Sequence, residues 1–580
     1  MSSPSFLSFE QVRNAIIGRN FTFQTPYGDR LLTYADYTAS GRSLIFIEQF
    51  LIKVQREYAN THTEDDITGR NMTKMINYAE FIIKRAFNGE KNCKVIAVGT
   101  GATGAISKLQ EIIGVRIPPA TLMLLKDLSA KVCEERDELA ELRNLLEEEI
   151  NKRKPIVFIG PYEHHSNDIM WRESLAEVIT INLTKEGYID LTDLEKKVAD
   201  PHFEARIKIG SFSAASNVTG LKSPVYEIAR IMHKYNGIAC FDFAASAPYV
   251  KIDMNKDNES FIDAVYLSPH KFIGGPGSTG ILVFNERIYN HKIPPTYAGG
   301  GTVDYVSANV VDYVKNIESR EKAGTPGILQ TIKAALVINL KDAIGIEKIE
   351  LKELEYTRRA LERLSKNPNI EILGPLNPAK RISIISFMIK HENKYLHPKL
   401  TTKLLNDLFG IQSRAGCMCA GPYGNLLLNI DENESQKFRG LIQQGIIGLK
   451  PGWCRVNFHY LFSEEEFKFI CQAIDFIANY GYLFLSDYSF DYSTGEWKHL
   501  NFQDPEEIET YSIESILKMD LKDCFKEKGV HNREKMYMEY MKVAEMLIKR
   551  LKHSKNYGKF RDLSAEKIRW FNFIHIDNEN

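Results

Sequence analysis

The sequence lacks an excess of charge of one sign and lacks any long apolar run. Its 74 Lys and Arg residues nearly balance 75 Asp and Glu residues, which gives a formal net charge of −1. A protein that binds nucleic-acid backbones usually carries a basic excess, so we expect no nucleic-acid partner. No apolar run approaches the roughly 18–20 residues that a membrane-spanning helix needs, so we expect no membrane partner.

Cysteine is also scarce. Eight cysteines among 580 residues are too few for a disulfide framework. Cys93, Cys240 and Cys471 stand among apolar neighbours, so we expect them to be buried and reduced. The first twenty residues lack the charged start and apolar core of a secretory signal, and two arginines give only a weak likeness to an organelle transit segment. We therefore expect a cytoplasmic protein.

The composition is that of a globular protein, with 44% hydrophobic and 26% charged residues. Between about residues 90 and 290, short apolar runs alternate with helical stretches, which predicts an α/β fold with a mostly parallel sheet covered on both faces. Ligands bind beyond the carboxyl ends of such strands, and polar clusters follow them here. The apolar runs are residues 94–99, 155–160, 206–214, 237–245 and 263–268.

One segment, residues 118–154, interrupts this alternation. Its apolar residues follow 3–4 spacing, which predicts one long amphipathic helix or a helical hairpin. It is either a solvated helix lying on its own domain or a coiled coil at a partner or dimer edge. The pattern predicts a large domain over residues 1–305 and a smaller α+β domain over 306–480. Residues 481–580 form an extension that carries no readable motif.

The stretch LSPHKFIGGPGSTGILVF, residues 267–284, carries the strongest chemical signal. Lys271 follows a predicted strand, Ser268 and His270 precede it, and glycines follow it. This pattern suits a lysine that forms an imine with pyridoxal phosphate, because the imine needs a buried lysine and the phosphate needs hydroxyl and imidazole donors. As an isolated string, it would also fit an exposed structural lysine.

Other strand ends carry residues that could serve the same cofactor. Asp242 in FDFAAS could keep the pyridine nitrogen protonated, although a strand-end Asp is often a helix cap. The Gly-rich turn TGATGAI (100–106) could bind a phosphate at a helix start, or it could be a simple tight turn. His164 in EHHSN could stack on the ring, and Asn217 in SNVTG could donate to its oxygen.

Taken together, the ordered strings GATGA, EHHSN, SNVTG, DFAAS, SPHK, AGTP and SRAGCMC resemble the class V aminotransferases. This fold-type-I family uses pyridoxal 5'-phosphate and includes the cysteine desulfurases. The resemblance covers about residues 30–480. It implies a homodimer with active sites at the subunit interface, a large domain with a seven-stranded and mainly parallel sheet, and a smaller C-terminal domain.

The resemblance also implies roles for single residues of the cofactor site. Lys271 matches the Schiff-base lysine, Asp242 matches the partner of the pyridinium nitrogen, and His164 matches the ring-stacking histidine. Asn217 matches the residue near the ring oxygen, and Thr325 in EKAGTPG matches the residue that reaches the phosphate of the other subunit. The phosphate-binding positions are matched by Ala102, Thr103, Ser268 and His270.

Four further positions match residues that act on the substrate. Arg455 matches the arginine that holds the substrate carboxylate, which a bidentate guanidinium suits. Arg414 matches a second arginine near the substrate, and Ala39 in YADYTAS lies where a substrate-contact loop begins. Cys419, rather than Cys417, matches the cysteine that accepts sulfur, because it lies five residues after Arg414 in an RxGxxC pattern. Glycines in that loop would let the thiol move to the substrate.

These residues predict a pyridoxal-phosphate-dependent cysteine desulfurase that acts on a small amino acid and passes sulfur through an enzyme persulfide to an acceptor protein. The alternatives are another class V chemistry (selenocysteine lyase, transaminase, epimerase or C–C lyase) and a non-catalytic scaffold of the same fold. Ala245 departs from the family pattern, since desulfurases usually carry Gln there to bind the ring oxygen. Cys417 and Cys419 lack a second Cys or His pair at suitable spacing, so no metal site is predicted.

Overall fold

The computed structural model describes residues 7–61, 65–135, 145, 148–416, 419–503 and 532–577. Its contacts divide the chain into two compact units. The first unit consists mainly of Ser40–Asn217 and Leu221–Glu350, and the second mainly of Ser8–Ala39, Val218–Gly220 and Leu351–Asn580.

The helices are named here in chain order. They are α1 Phe9–Asn14, α2 Ile45–Gln55, α3 Ile67–Ala86, α4 Gly101–Ile112, α5 Pro119–Glu135, α6 His165–Arg172, α7 Leu191–Val198, α8 Val225–Lys234, α9 Ile317–Arg320, α10 Ile328–Ile344, α11 Ile346–Leu364, α12 Pro398–Phe409, α13 Gly421–Leu427, α14 Glu432–Gln443, α15 Glu464–Tyr480, α16 Arg533–Arg550 and α17 Leu563–Lys567.

The strands are named in the same way. They are β1 Thr22–Thr25, β2 Gly28–Leu31, β3 Thr33–Tyr34, β4 Cys93–Val98, β5 Ile156–Ile159, β6 Glu177–Thr180, β7 Lys208–Ser213, β8 Ile238–Asp242, β9 Ala264–Leu267, β10 Gly280–Asn285, β11 Val303–Val306, β12 Val311–Tyr313, β13 Ile370–Ile372, β14 Ile384–His391, β15 Lys394–Tyr395, β16 Ile411–Gln412, β17 Arg414–Gly416, β18 Trp453–Asn457, β19 Tyr488–Asp491, β20 Glu496–His499 and β21 His575–Ile576.

The first unit is built on a seven-stranded sheet with the order β4-β10-β9-β8-β7-β5-β6. The pairs from β9 to β6 are parallel, whereas β10 runs antiparallel to both of its neighbours. All residues of β5, β7, β9 and β10 are buried, and β5, β9 and β10 are apolar nearly throughout, whereas β7 carries one lysine and two serines. The predicted α/β sheet and each of its five predicted strands are confirmed.

A hydrophobic core joins this sheet to α4. Ala105, Ile106 and Leu109, which lie on one face of α4, are fully buried against strand residues such as Leu282 and Tyr266. Burying a side chain of Leu or Ile size stabilises the fold by about 1.5–3 kcal/mol. The α4 start is thereby fixed at the carboxyl ends of the parallel strands, where the sequence predicts a ligand site.

The second unit contains a five-stranded antiparallel sheet, in which β13, β14, β18 and β17 follow one another and β15 pairs with β14. The strand β14 and the helix α15 both belong to this unit. Ser463 and Glu466 form a capping box that fixes the start of α15. A three-stranded sheet of β20, β19 and β21 lies in the extension for which the sequence offers no motif.

The compact units have different bounds from the predicted domains. Residues 306–350 group with the first unit because α10 packs on α3 there, whereas the sequence places a domain boundary at residue 305. Ser8–Ala39 group with the second unit, in which β3 pairs with β16. The assignment of separate functional domains to 1–305, 306–480 and 481–580 stays a prediction.

The inserted segment 118–154 is described only in part, and its residues 136–144, 146 and 147 lie outside the described residues. The part that begins it is the helix α5, as the apolar spacing predicts. Leu124, Leu125 and Leu128 of α5 are each at least half exposed, so these leucines are not buried against the residues that the structure describes. Among all described helices, none is both long enough and apolar enough to cross a membrane.

Candidate active site

A cavity of about 160 Å³ opens at the carboxyl ends of the parallel strands in the first unit. Its wall is formed by side chains from five separate strand ends and from the start of α4, which the sheet order brings to one edge. The residues predicted for the cofactor site that line it are Ala102, Thr103, His164, Asn217, Asp242, Ser268, His270 and Lys271. The structure therefore gathers residues that lie as far as 169 positions apart in the sequence, from Ala102 to Lys271.

The loop that carries Lys271 is held in a fixed position by the segment before α2. Lys271 ends a short 3₁₀ turn, Pro269–Lys271, that directly follows β9. The Gly41 amide donates to the His270 carbonyl over 2.9 Å, and the Ser40 hydroxyl donates to the same oxygen over 3.2 Å. A Cβ atom at position 41 would collide with the carbonyl of Phe272, so only glycine fits there.

Asp242 ends β8 and lines the cavity. Its Oδ1 accepts a hydrogen bond of 2.8 Å from the Ala244 amide, and the residue is 6% exposed. Burial raises the pKa of the Asp242 carboxyl above its ordinary value, while the Ala244 amide and the charge of Lys271 oppose part of that rise. The carboxylate is therefore placed to gain from a cation that enters the cavity.

The start of α4 forms the part of the cavity that suits an anion. Gly101 opens the helix with a φ of 60°, and a Cβ there would lie 2.8 Å from the Ser268 hydroxyl. That hydroxyl accepts a hydrogen bond of 2.9 Å from the Ala102 amide. Burial, with a contribution from the charge of Lys271, lowers the pKa of His270 to about 4, so its imidazole is neutral near pH 7. Helix amides and neutral donors of this kind bind phosphate groups.

His164 lies on the wall of the same cavity and forms the N-cap of α6. Its Nδ1 accepts from the Ser166 amide over 3.2 Å, so the proton of the neutral ring is on Nε2. The Ser166 hydroxyl lies 2.7 Å from the Thr103 hydroxyl and thereby links His164 to the first turn of α4. Ser166 is a lining residue that the sequence analysis does not single out, although it belongs to the EHHSN string.

Glu163 is a second residue that the sequence analysis misses. Its carboxylate accepts hydrogen bonds from the Gly160 amide at 3.0 Å, from the Asn167 amide group at 2.7 Å, and from the Ser213 amide and hydroxyl at 2.9 and 2.6 Å. It thus joins the ends of β5 and β7 at the residue that precedes His164 in the chain. Burial raises the pKa of Glu163 to about 7 despite these donors. Nothing in the sequence signals a buried acid, since its partner Ser213 is 50 residues away.

Two positions of the predicted cofactor site, 245 and 325, differ from what the family pattern leads us to expect. Ala245 is buried and lines the cavity, so the position where desulfurases usually carry Gln offers no side-chain donor. Thr325 is exposed and does not line the cavity, and its hydroxyl accepts from the Asn60 amide group over 3.3 Å. The structure brings the other predicted cofactor residues together but leaves Thr325 apart from them.

The predicted substrate arginines lie on neighbouring strands of the second unit. Arg455 on β18 is 3% exposed, and its Nη2 lies 2.8 Å from Oδ1 of Asp36. Arg414 on β17 is directly opposite Arg455 in the antiparallel register. Burial lowers the pKa of Arg455, and the Asp36 carboxylate opposes this effect. The pair concentrates positive charge at one position of the sheet, and Asp36 balances part of it.

The loop after β17 carries the predicted nucleophile. Cys419 is a half-buried free cysteine with a φ of 57°, in the left-handed region that costs a residue with a Cβ roughly 1–2 kcal/mol. Such local strain is concentrated at functional sites. Cys417 lies outside the described residues. Ala39 is half-buried, and its amide donates to the Asp36 carbonyl over 2.9 Å.

Comparison with known sequences agrees with this arrangement. The family profile named "Aminotransferase class-V" matches residues 140–467. A probable cysteine desulfurase of Halalkalibacterium halodurans is 33% identical over 270 residues, which are 46% of this chain and 62% of that protein. A probable cysteine desulfurase of Pyrococcus abyssi is 30% identical over 302 residues, which are 50% of this chain and 71% of that protein. The chain thus spans about three fifths of the length of the first of these relatives.

Solved structures show the same fold. The apo cysteine desulfurase of Thermococcus onnurineus NA1 matches with a TM-score of 0.62 at 22% identity, over 83% of this chain and all of that one. The cysteine desulfurase CsdA of Escherichia coli matches with a TM-score of 0.57 at 17% identity, over 81% of this chain and 98% of that one. At these identities the likeness concerns the fold, and it confirms the predicted fold-type-I class.

Proposed function

Because the chain belongs to the class V aminotransferase family, we propose that it is a pyridoxal-phosphate-dependent cysteine desulfurase. The observation that carries this proposal is the position of Lys271, Asp242 and His164 on the wall of one cavity at the carboxyl edge of the sheet. The relatives named as probable cysteine desulfurases support the choice of reaction within the family.

The residues of the cavity fit pyridoxal 5'-phosphate. The first turn of α4 and the hydroxyls of Thr103 and Ser268, together with His270, would hold the phosphate. The buried Asp242 carboxylate would pair with the pyridine nitrogen, and Asn217 would serve the ring oxygen. When it is bound, pyridoxal phosphate supplies an electron sink that weakens the bonds at the Cα and Cβ atoms of an amino acid.

In this proposal, Lys271 would be the residue that holds the cofactor. With a substrate bound, the amine of Lys271 would act as the general base at Cα, a role that a lysine beside that carbon can perform. Asp242 favours the protonated ring because its carboxylate is buried and its charge needs a cationic partner. His164, with its proton fixed on Nε2 by Ser166, would stack on the cofactor ring.

Further residues would act on the substrate. Arg455 and Arg414 would hold its carboxylate, and Ala39 would contact its other atoms. We propose that the Cys419 thiolate attacks the sulfur of the substrate, so that an S–S bond forms and the Cβ–S bond breaks. The electron pair of the broken bond stays with the carbon, which takes up a proton, and the products are alanine and the Cys419 persulfide. One cysteine and one enzyme thiol are consumed, and no external oxidant is needed.

The proposal extends to the assembly and the location of the enzyme. Thr325, which lies outside its own chain's cavity, would reach the phosphate of the other subunit in a homodimer. A separate acceptor protein would take the sulfur from Cys419. The scarcity of cysteine suits a reducing compartment, and we propose that the enzyme acts in the cytoplasm.

Amino-acid turnover by the purified protein tests this function. With pyridoxal phosphate and cysteine, we expect equal amounts of alanine and of persulfide sulfur, and the Lys271→Ala variant should form neither. Turnover of selenocysteine alone, or of another amino acid without sulfur release, would replace the proposed reaction with another chemistry of the family. A protein that binds the cofactor but turns over no amino acid would favour a scaffold.

A further inference from the structure

We propose that His391, Glu392 and His553 form a binding site for a divalent transition metal such as Zn²⁺. Their ligand atoms all lie within 4.8 Å of one another. Among the residues that the structure describes, these three side chains form a group of possible metal ligands that lies outside the candidate active site. A tetrahedral Zn²⁺ with bonds of about 2.0–2.2 Å separates its ligand atoms by about 3.3–3.6 Å, so the three side chains need only small movements. The proposal does not depend on the reaction at Lys271.

The choice of ligand types indicates which metal would bind. Two imidazoles and one carboxylate suit Zn²⁺ and its transition-metal neighbours, whereas Mg²⁺ and Ca²⁺ prefer sites made of oxygen atoms alone. Glu392 and His553 are exposed, so an ion can enter from solvent and keep water as a fourth ligand. This is the three-ligand arrangement of an open zinc site.

The backbone at Glu392 gives independent support. Glu392 lies in the two-residue turn between β14 and β15, in which His391 pairs with Lys394. Its φ is 54°, a left-handed conformation that Gly, Asn and Asp adopt most easily in such turns. A glutamate is less stable than glycine in this conformation, so its presence is better explained by what its carboxylate binds.

The imidazole rings are held in place by aromatic neighbours. Tyr482 stacks on His391 with ring centres 4.4 Å apart, and it meets His553 edge-on at 4.8 Å. The Tyr557 hydroxyl lies 2.9 Å from Nε2 of His391 and 3.1 Å from Nε2 of His553, so both nitrogens point to the phenol oxygen, which an ion bound between them would displace. Packing that fixes the rings in this way lowers the entropy that metal binding would otherwise cost.

The hydrogen bonds around Tyr557 offer a competing explanation, in which the three side chains form a structural cluster without a metal. This hydroxyl contacts Glu392 as well as the two imidazoles, and it can accept from both rings while donating to the carboxylate. A purely structural cluster would therefore depend on the phenol oxygen at its centre. A metal site depends on the three ligands and loses only a neighbour when that oxygen is removed.

The location suggests what a bound ion would do. His391 and Tyr557 are 166 residues apart, and the ion would fasten the segment after α16 to the hairpin of β14 and β15. Binding to the folded chain stabilises it by mass action, and a link between distant segments removes freedom from the unfolded chain. The site would give the C-terminal extension, for which the sequence offers no motif, a structural function.

Titration of the full-length, metal-stripped protein with Zn²⁺ alone tests the proposal, with a chromophoric chelator as competitor. Because cysteine thiols also bind Zn²⁺, the readout is the difference between variants. His553→Ala and Glu392→Gln should each weaken one equivalent of binding by at least about tenfold. His202→Ala, which removes an exposed histidine beside Asp200, should bind as the wild type does.

Tyr557→Phe separates the two explanations. It removes the central oxygen and leaves the three ligands, so we expect it to retain the equivalent of Zn²⁺ that His553→Ala loses. Binding that is unchanged in His553→Ala, or that disappears in Tyr557→Phe, would overturn the proposal. Zn²⁺ should also raise the melting temperature of the wild type and of Tyr557→Phe but not that of His553→Ala.

Discussion

Asp242 and Lys271 line the same cavity, and the charge of Lys271 partly opposes the rise that burial causes in the pKa of the Asp242 carboxyl. The sheet produces this relationship, because β8 and β9 are parallel neighbours and their carboxyl ends lie side by side. A buried carboxylate and a lysine at adjacent strand ends provide one anionic and one nucleophilic group for a single ligand. The proposed cofactor uses both groups.

The first prediction concerns this carboxylate. Asp242→Asn keeps the shape of the side chain but removes its charge, so it cannot keep the ring nitrogen of the cofactor protonated. We expect cofactor binding to persist and kcat for alanine formation to fall on the order of 10²-fold or more. Asp193→Asn, which removes a surface partner of Lys197, is the control and should keep full activity. A kcat for Asp242→Asn within twofold of the wild type would contradict the proposed role.

The second prediction concerns the nucleophile. Cys419→Ser keeps the size of the side chain but replaces the thiol with a weak nucleophile, so we expect persulfide formation to stop. Absorbance of the bound cofactor should be unchanged, because Cys419 does not line the cavity that would hold it. Cys417→Ser is the matched control in the same loop and should remain active. If instead Cys417→Ser is the inactive variant, the assignment moves by two residues.

Assembly is the subject of the third prediction. If Thr325 binds the phosphate in the other subunit, the active protein is a dimer, and dilution to monomer should release the cofactor. Thr325→Ala should weaken cofactor binding by about tenfold, since a hydrogen bond to a charged group contributes roughly 1.5–3 kcal/mol. Thr192→Ala, at an exposed position on α7, should bind the cofactor normally. A fully active monomer in sedimentation would contradict the dimer.

The fourth prediction follows from the pKa of Glu163, which burial raises from an ordinary 4.5 to about 7. The folded chain then holds this proton more tightly than the unfolded chain does, so the contribution of Glu163 to stability is present below pH 4.5 and is lost as the pH rises through 7. The loss amounts to about 3 kcal/mol.

The measurement is the melting temperature of the wild type minus that of Glu163→Gln, which cannot titrate. We expect this difference to fall steadily between pH 5 and pH 7. Glu195→Gln, at an exposed position paired with Lys234, is the control and should show no such fall over the same range. A difference that is constant, or that rises with pH, would show that Glu163 is ionised throughout.

The sequence predicts the sheet well because its strands are buried on both faces. The runs that become β5, β8 and β9 are apolar nearly throughout, and polar residues such as Asp242 mark where they end. The residues that we propose for the cofactor and that line the cavity could be found in the same way, since each follows a strand or lies in the first turn of a helix. Local sequence is sufficient to predict a feature when the residues that form it are neighbours in the chain as well as in space.

The remaining features depend on contacts between distant positions. The hydrogen bonds of Glu163 to Ser213 and the grouping of His391 with His553 have no local signal in the sequence. The spacing of apolar residues predicts the helix α5, but it does not say whether that face is covered, and Leu124 and Leu125 are exposed. Thr325 matches a family position by its string, whereas its place outside the cavity is known only from the fold.

Reduction with borohydride followed by peptide mapping tests the central claim most directly. The reagent fixes pyridoxal phosphate on the lysine that holds it, and mass spectrometry then identifies that lysine. The account predicts that Lys271 is modified and that the modification is lost in the Lys271→Ala variant. The control variant Lys251→Ala, at an exposed position, should still be modified at Lys271. Lys341 is the informative rival, because burial lowers its pKa to about 8 and it lies in the same unit. A cofactor fixed on Lys341, or on any lysine of the Lys271→Ala variant, would contradict the account.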